Sequence, residues 1–253
     1  MNLNFRQRLH AGEPLFGSLL NMPSASVAEV LAAAGFDWLF IDSEHGPIGT
    51  SALLSILQAV DQRLACIVRI SELNGGAIKR TLDAGAHGII VPQIETAAAA
   101  AELVRYGRYA PLGERGMGLG RAHGYGFSFA DYVAKANDAI TLVIQVEHVR
   151  AVENIDSIAA VDGIDAVFIG PYDLSASLGV AGKIDHPRVI EAIEHVTQTC
   201  HKAGRALGYF GVDAAAVEPY VAAGYTLVCA GIDCLLLGQS AERLVNALKS
   251  GGK

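Results

Sequence analysis

Residues 36–47 read FDWLFIDSEHGP and change character halfway along. Residues 36–41 form an apolar and aromatic run of the length of a buried strand. The remainder packs Asp42, Glu44 and His45 into one short stretch, just before Gly46 and Pro47 stop regular structure. A strand that ends abruptly in ionisable groups is a candidate active-site edge. How the other strands end decides whether it is one.

On the N-terminal side, residues 14–20 read as a first strand, and Ser24 or Ser26 can cap a helix that runs to Gly35. On the C-terminal side, Thr50 or Ser51 begins a second helix. Residues 65–70 (ACIVRI) form a third strand, residues 75–84 a helix and residues 87–91 (HGIIV) a fourth strand. An alanine-rich helix over residues 95–106 gives way to PLGERGMGLGRAHGYG at 111–126, a glycine-rich loop of a length usually kept for function. Its spacing fits no phosphate-binding or dinucleotide fingerprint. Next come a short helix (129–136), a fifth strand (140–146), a helix (151–160), a sixth strand (164–169) and the segment GPYDLSASLG. A helix (188–203), a seventh strand (206–210), a helix after Asp213, an eighth strand (226–230) and a last helix (234–248) complete the chain.

Eight strand and helix pairs in 253 residues match the size and rhythm of one (β/α)8 TIM barrel, a single domain over residues 1–253. The phrases AGFDW, AGAHG, VDGID, AGRAL and AGYTL place Gly or Asp at successive helix-to-strand turns, where helix C-caps need them. An open doubly wound sheet shares the alternation and is the rival topology.

At 51 % apolar residues the chain can bury a large core. A net charge of −7, with no cluster of Lys and Arg among aromatics, argues against nucleic acid. The N-terminal stretch lacks a signal-peptide run, and no segment of about 18 apolar residues occurs, so a soluble cytoplasmic protein without a membrane partner is expected. Cys66, Cys200, Cys229 and Cys234 lack metal-site spacing and read as reduced core thiols. His10 lies in what reads as a tail.

In a barrel the strand ends converge on one mouth. The second strand brings Asp42, Glu44 and His45, the third Arg69, the fifth Gln145 and Glu147, and the loop after the sixth Asp173. The fourth, seventh and eighth end in Pro92, Gly211 and Gly231, which leave room. Glu147 and Asp173 are the candidate metal pair. Two carboxylates without thiols or a helical His pair favour a hard ion such as Mg²⁺ or Mn²⁺ that keeps waters and takes substrate oxygens. The alternatives are a surface carboxylate for Glu147 and a helix N-cap for Asp173. Arg69 follows four apolar strand residues, where a lone charge is seldom found. It can grip a substrate carbonyl or carboxylate, form an ion pair with Asp42, or do both. His45 is the natural proton-transfer group near neutrality. His123 and His148 are candidate contacts around the site. Lys79 and Lys135 fall on helices, away from where a Schiff-base nucleophile would stand.

These residues resemble the metal-dependent (class II) pyruvate aldolases of the HpcH/HpaI, or hydroxy-oxo-heptanedioate aldolase, type. AGFDWLFIDSEHGP, the Arg69 strand, APLGERGMG, VIQVEHVRAVENID and FIGPYDLSASLG occur in that family's order and at its spacing. The resemblance implies a (β/α)8 barrel, often a homohexamer built as a trimer of dimers with a swapped C-terminal helix. It also implies a lyase that reversibly cleaves a 4-hydroxy-2-oxo acid into pyruvate and an aldehyde. Carried over residue by residue, Glu147 and Asp173 would hold a divalent ion, Mg²⁺, Mn²⁺ or Co²⁺. Arg69 would contact the keto oxygen and stabilise the enolate, with Gln145 supporting the site. Backbone amides around Gly170, Pro171, Tyr172 and Asp173 would bind the pyruvate carboxylate. His45 would act as acid or base through a metal-bound water. Asp42, from its place beside Arg69 and not from the resemblance, is expected to orient that guanidinium. Similar enzymes couple the His to an Asp at the position of Asp83. Asp83 falls at the opposite end of its own barrel, so that role implies a site shared between subunits; a plain surface carboxylate is the alternative.

Two positions depart from the family pattern. Where members commonly carry Trp in a GxW pattern in the first strand, this chain has Gly17, Ser18 and Leu19, and Tyr172 replaces a smaller residue before the metal Asp. Both bear on the acceptor aldehyde and leave the pyruvate chemistry untouched. The rival readings are oxaloacetate decarboxylation or a CoA-ester lyase reaction on the same barrel, and a non-catalytic oxo-acid-binding protein.

Overall fold

Apolar runs become strands, and several helices begin at a polar residue that caps them. Ser24, Asn74, Thr96 and Asp213 each accept a hydrogen bond from the amide three residues on. The computed structural model describes residues 4–250. The chain opens with α1 (Phe5–His10), β1 (Leu15–Leu20), α2 (Ala25–Ala33), β2 (Trp38–Asp42), α3 (Thr50–Val60) and β3 (Ala65–Arg69). It continues with α4 (Gly75–Asp83), β4 (Gly88–Val91), α5 (Ala97–Gly107), a 3-10 turn (Arg121–Gly126), α6 (Phe129–Ala139) and β5 (Thr141–Val146). Then follow α7 (Val149–Glu153), α8 (Ile155–Ala159), β6 (Ala166–Ile169), α9 (Pro171–Ser177) and α10 (Pro187–Lys202). The last elements are β7 (Ala206–Gly211), α11 (Ala214–Ala222), β8 (Leu227–Ile232) and α12 (Asp233–Ser250). The eight strands close in sequence order, each parallel to its neighbours, with β8 returning to β1. Closure excludes the open doubly wound sheet.

Strand alternation sorts the apolar residues into two cores. Leu39, Ile41, Cys66, Val68, Leu142 and Ile144 point outward and pack under the helices. Trp38, Phe40, Ala65, Ile67, Val143 and Phe168 point inward and fill the barrel. The Trp38 indole fits because β1 has Gly17 beside it; a Cβ there would lie 2.5 Å from the ring. Two residues on from Phe40, Ile67 and Val143 toward the strand ends lie Asp42, Arg69 and Gln145, and two further along the fifth row lies Glu147. The face that is apolar core below is therefore chemistry at the mouth.

Several expectations need correction. Residues 5–10 are not a tail: α1 closes the bottom of the barrel with buried Phe5 and Leu9, and the Phe5 ring lies 6.3 Å from that of Trp38. Six residues are too few for helical periodicity to register. Residues 151–160 are not one helix but the end of α7 and all of α8, broken at Asn154. Asp173 is not an N-cap: Gly170 holds that position and Pro171 opens the helix, which sets Asp173 in the first turn of α9. Cys66, Cys200 and Cys229 are buried free thiols, whereas Cys234 is exposed at the start of α12.

The glycine-rich loop at 111–126 covers the end of the barrel where strands begin. Arg121 donates to the carbonyls of Leu57 and Ala84 and to Asp61, and Gly120 lies against the backbone of Asp83. α12 is anchored at its start, where Asp233 accepts from the amides of Asn21 and Met22. Beyond that anchor Leu237, Leu244 and Leu248 are exposed. Among the described residues no helix is long and apolar enough to cross a membrane.

Candidate active site

The β2 and β3 registers set Asp42 opposite Arg69. Their side chains meet as a buried fork: Arg69 Nε donates to Asp42 Oδ1 at 3.0 Å and Nη2 to Oδ2 at 2.8 Å. Asp42 Oδ1 also accepts from the amides of Glu44 and His45, at 3.1 and 3.3 Å, and so fixes the turn that presents both side chains. Burial pushes the Asp42 carboxyl up, but the Arg69 hydrogen bonds and charge outweigh it and hold the group below the usual carboxylate range. The Arg69 guanidinium lies 5.1 Å from the Phe40 ring centroid, held over the apolar interior.

Glu44 Oε2 stands 3.1 Å from Arg69 Nε, whose single proton is directed at Asp42. The contact is a charge contact only, and this buried oxygen has no hydrogen-bond partner. Burial pushes the Glu44 carboxyl up. His45 reaches into the open: its side chain is 62 % exposed, with Nε2 3.6 Å from Glu44 Oε2.

Across the mouth, Gln145 Nε2 donates to Glu147 Oε2, and the amide of Gln93 donates to Glu147 Oε1 at 2.8 Å. Gly170 permits this approach, since a Cβ there would lie 3.1 Å from both Glu147 Cβ and Oε2. Burial raises the Glu147 carboxyl, and the charges of Glu44 and Asp173 raise it further. Glu44, Glu147 and Asp173 line one hollow of about 390 Å³ together with His45, Gln93 and His148. His45 and Asp173 also line an adjoining hollow of about 290 Å³ with Asp42, Arg69, Gln145 and Gly170, walled by Leu19, Tyr172, Phe210 and Ile232. A third hollow, at the opposite end beside His87, holds none of this chemistry.

The residues fit a divalent ion. Four carboxylates, Glu44, Glu95, Glu147 and Asp173, share one hollow. Glu95 is paired with Arg150, whereas Glu147 lacks an ion-pair partner among the described residues, and the buried oxygens Glu44 Oε2 and Gln145 Oε1 have no donors. Among the described residues no group of three or more His, Cys, Asp or Glu side chains is arranged to enclose a metal. The donor set is that of a hard ion completed by ligand and water oxygens. On the α9 side, the Gly170 amide is spent on the Val146 carbonyl and Pro171 has none. The first-turn amides left for an anion are those of Tyr172 and Asp173.

Of the residues singled out in the sequence, Asp42, His45, Arg69, Gln145, Glu147, Gly170, Pro171, Tyr172 and Asp173 come together at this mouth. Asp83 does not. It ends α4 at the other face, where Arg115 Nη2 donates to it at 2.7 Å. His123 is fully buried there, hydrogen-bonded to the Tyr109 hydroxyl, and is no contact of this mouth. Gln93 was missed, and nothing in PQIET beyond the proline stop points to it.

The family description HpcH/HpaI aldolase/citrate lyase matches residues 16–239. The chain is 42 % identical to a 2-keto-3-deoxy-L-rhamnonate aldolase of Klebsiella pneumoniae over 97 % of its own length and 93 % of the relative's. It is 40 % identical to a hydroxypyruvate/pyruvate aldolase of Pseudomonas aeruginosa, covering 98 % and 93 %. A crystal structure of an HpcH/HpaI aldolase/citrate lyase family protein from Burkholderia cenocepacia superposes with a TM-score of 0.94 at 38 % identity, covering 98 % of this chain and all of the other. Barrel, mouth and sequence thus agree, and the chain belongs to the HpcH/HpaI aldolase/citrate lyase family.

Proposed function

We propose that this protein is a class II carbon–carbon lyase that cleaves a 4-hydroxy-2-oxo acid reversibly into pyruvate and an aldehyde. The observation that carries the reading is the Asp42–Arg69 fork. It holds a cation over the same mouth that presents His45, Glu147 and Asp173. Glu147 and Asp173 would hold a divalent ion, Mg²⁺, Mn²⁺ or Co²⁺. When bound, that ion supplies Lewis-acid polarisation of the 2-oxo group, an effect of several kcal/mol in metal enzymes.

The chain's own groups do the rest. The Tyr172 and Asp173 amides bind the substrate carboxylate, and Arg69 donates to the 2-oxo oxygen. His45 takes the proton of the C4 hydroxyl; C4 becomes the aldehyde carbon as the C3–C4 bond breaks. The bonding pair moves into the C2–C3 bond, and negative charge develops on the C2 oxygen, which Arg69 faces. Proton return to C3 completes pyruvate. Asp42 keeps Arg69 aimed and leaves it charged.

The same reading makes the protein a cytoplasmic homo-oligomer, a hexamer arranged as a trimer of dimers, with α12 swapped onto a neighbour. Its support is the exposed apolar face of α12 and the distance in the fold between Asp83 and His45 of one chain. Asp83 would act on the His45 of another subunit. Mixing His45→Ala with Asp83→Ala chains tests this: hybrids regain activity if the site is shared and stay inactive if it is not.

The activity itself is tested by a metal-supplemented screen of pyruvate with hydroxyaldehydes, run beside pyruvate release from oxaloacetate. His45→Ala is expected to lose cleavage about 10²–10⁴-fold, the usual worth of a positioned acid or base, while still binding Mn²⁺. Unchanged turnover would remove His45 from the mechanism.

A further inference from the structure

The described non-glycine residues with positive φ are Asn4, Asp61, Gln93 and Tyr125. Asn4 precedes α1, Asp61 ends α3 and Tyr125 lies in the 3-10 turn, all at the strand-start face. Gln93 alone stands at the mouth, with φ +55. A residue with a Cβ is held in this region only where the surroundings over-determine it, and such residues gather at functional sites. The surroundings here do so. Pro92 on one side and Ile94 on the other are both buried, which pins the chain before and after. Between them Gln93 turns so that its amide points at Glu147 Oε1, 2.8 Å away, while its own side chain is exposed at the rim of the hollow.

We infer that Gln93 is a positioning residue whose left-handed backbone fixes the Glu147 carboxylate for a divalent ion. The inference rests on the reading in which Glu147 holds that ion. With Oε1 held by the Gln93 amide and Oε2 by Gln145, the carboxylate plane cannot swing, so its remaining lone pairs face one direction. Outer partners of this kind set the affinity of a metal ligand. The side chain at 93 is secondary: what matters is a backbone that tolerates φ near +55 with its N–H in place.

The test is a substitution series graded by left-handed tolerance, read as Mn²⁺ affinity of metal-free protein by the loss of the free-ion electron paramagnetic resonance signal. Gln93→Gly adopts the conformation without strain and is expected to bind Mn²⁺ within about threefold of the parent. Gln93→Val, β-branched, is expected to leave the conformation, withdraw the amide and bind 10–100-fold more weakly, the usual cost of an outer partner. Gln93→Ala falls between and replaces the valine variant if thermal denaturation shows the latter unfolded. A flat series overturns the inference, and so does a glycine variant as weak as the valine or alanine one, since the side chain would then carry the effect. Glu147→Gln separates the two levels: if it binds Mn²⁺ as tightly as the parent, the metal assignment fails whatever the series shows.

Discussion

Asp165 and Glu147 are both buried carboxylates of the same barrel, at opposite ends. Asp165, just before β6, is fully committed. Arg6 Nε and His10 Nε2 lie 2.7 Å from Oδ1, and Arg108 Nη2 and the Leu142 amide donate to Oδ2 at 3.0 and 2.8 Å. Burial pushes its carboxyl up, but the His10 hydrogen bond and the Arg108 and Arg6 charges outweigh this and hold it low. Glu147 has two neutral donors, further carboxylates sharing its hollow, and a carboxyl pushed up by burial. A closed network ties α1, α5 and β6 together. An open one is stabilised only when something positive arrives. Satisfied polar networks rigidify a fold, and unsatisfied ones are where ligands bind.

The largest effect that would sharpen this contrast is on stability. Asp165→Ala leaves the Arg108 guanidinium buried beside carbonyls alone and is expected to cost about 3–5 kcal/mol, the usual penalty for breaking a buried pair. Urea denaturation measures it, and the folded fraction should keep its turnover. An equal loss of turnover would erase the distinction between scaffold and site.

Next is Arg69→Ala, expected to lower kcat about 10²–10³-fold, or 2.7–4 kcal/mol, the worth of one donor to developing negative charge. Arg69→Lys should recover little, because a single ammonium cannot both fork onto Asp42 and face the substrate.

The smallest effect has the opposite sign. Glu147→Gln removes one of the like charges in the hollow and is expected to stabilise the metal-free protein by about 0.5–1 kcal/mol, as relief of functional strain often does. The sign follows from the raised carboxyl. Its ionisation costs folding nothing below the ordinary glutamate range near about 4.3, and the cost grows as pH rises through the raised value. The gain of the variant should therefore be full at neutral pH and vanish on acidification. Urea midpoints across pH check it; a gain that grows in acid would mean that Glu147 is not held high. Asp165 runs the other way: its contribution is present above the ordinary aspartate range and lost as pH falls through its depressed value.

The barrel was legible because its physics is periodic. Each apolar run of strand length ends at a turn residue, and the alternation repeats eight times. The Asp42–Arg69 fork was legible for the same reason, since both residues end neighbouring strands on the inward row. What stayed hidden depends on distant contacts or on backbone conformation. Asp165 sits in VDGID and reads as a turn residue; its partners lie at positions 6, 10, 108 and 142, separations no local pattern carries. Arg108 and Arg115 read as ordinary helix-end and loop cations, yet both are buried. Gln93 looks like any exposed residue after a proline. The glycine-rich loop reads as functional from its length, and His123 within it as a contact around the site; instead the loop joins a helix to the next strand and so lies over the strand-start face, away from the mouth.

The most direct test of the open network at Glu147 and Asp173 is pyruvate release from a 4-hydroxy-2-oxo acid before and after treatment with EDTA, followed by Mn²⁺. The expected result is loss of turnover on chelation and full return with the ion, with no adduct trapped by borohydride. Turnover that survives EDTA, together with a borohydride-trapped lysine adduct, would contradict it.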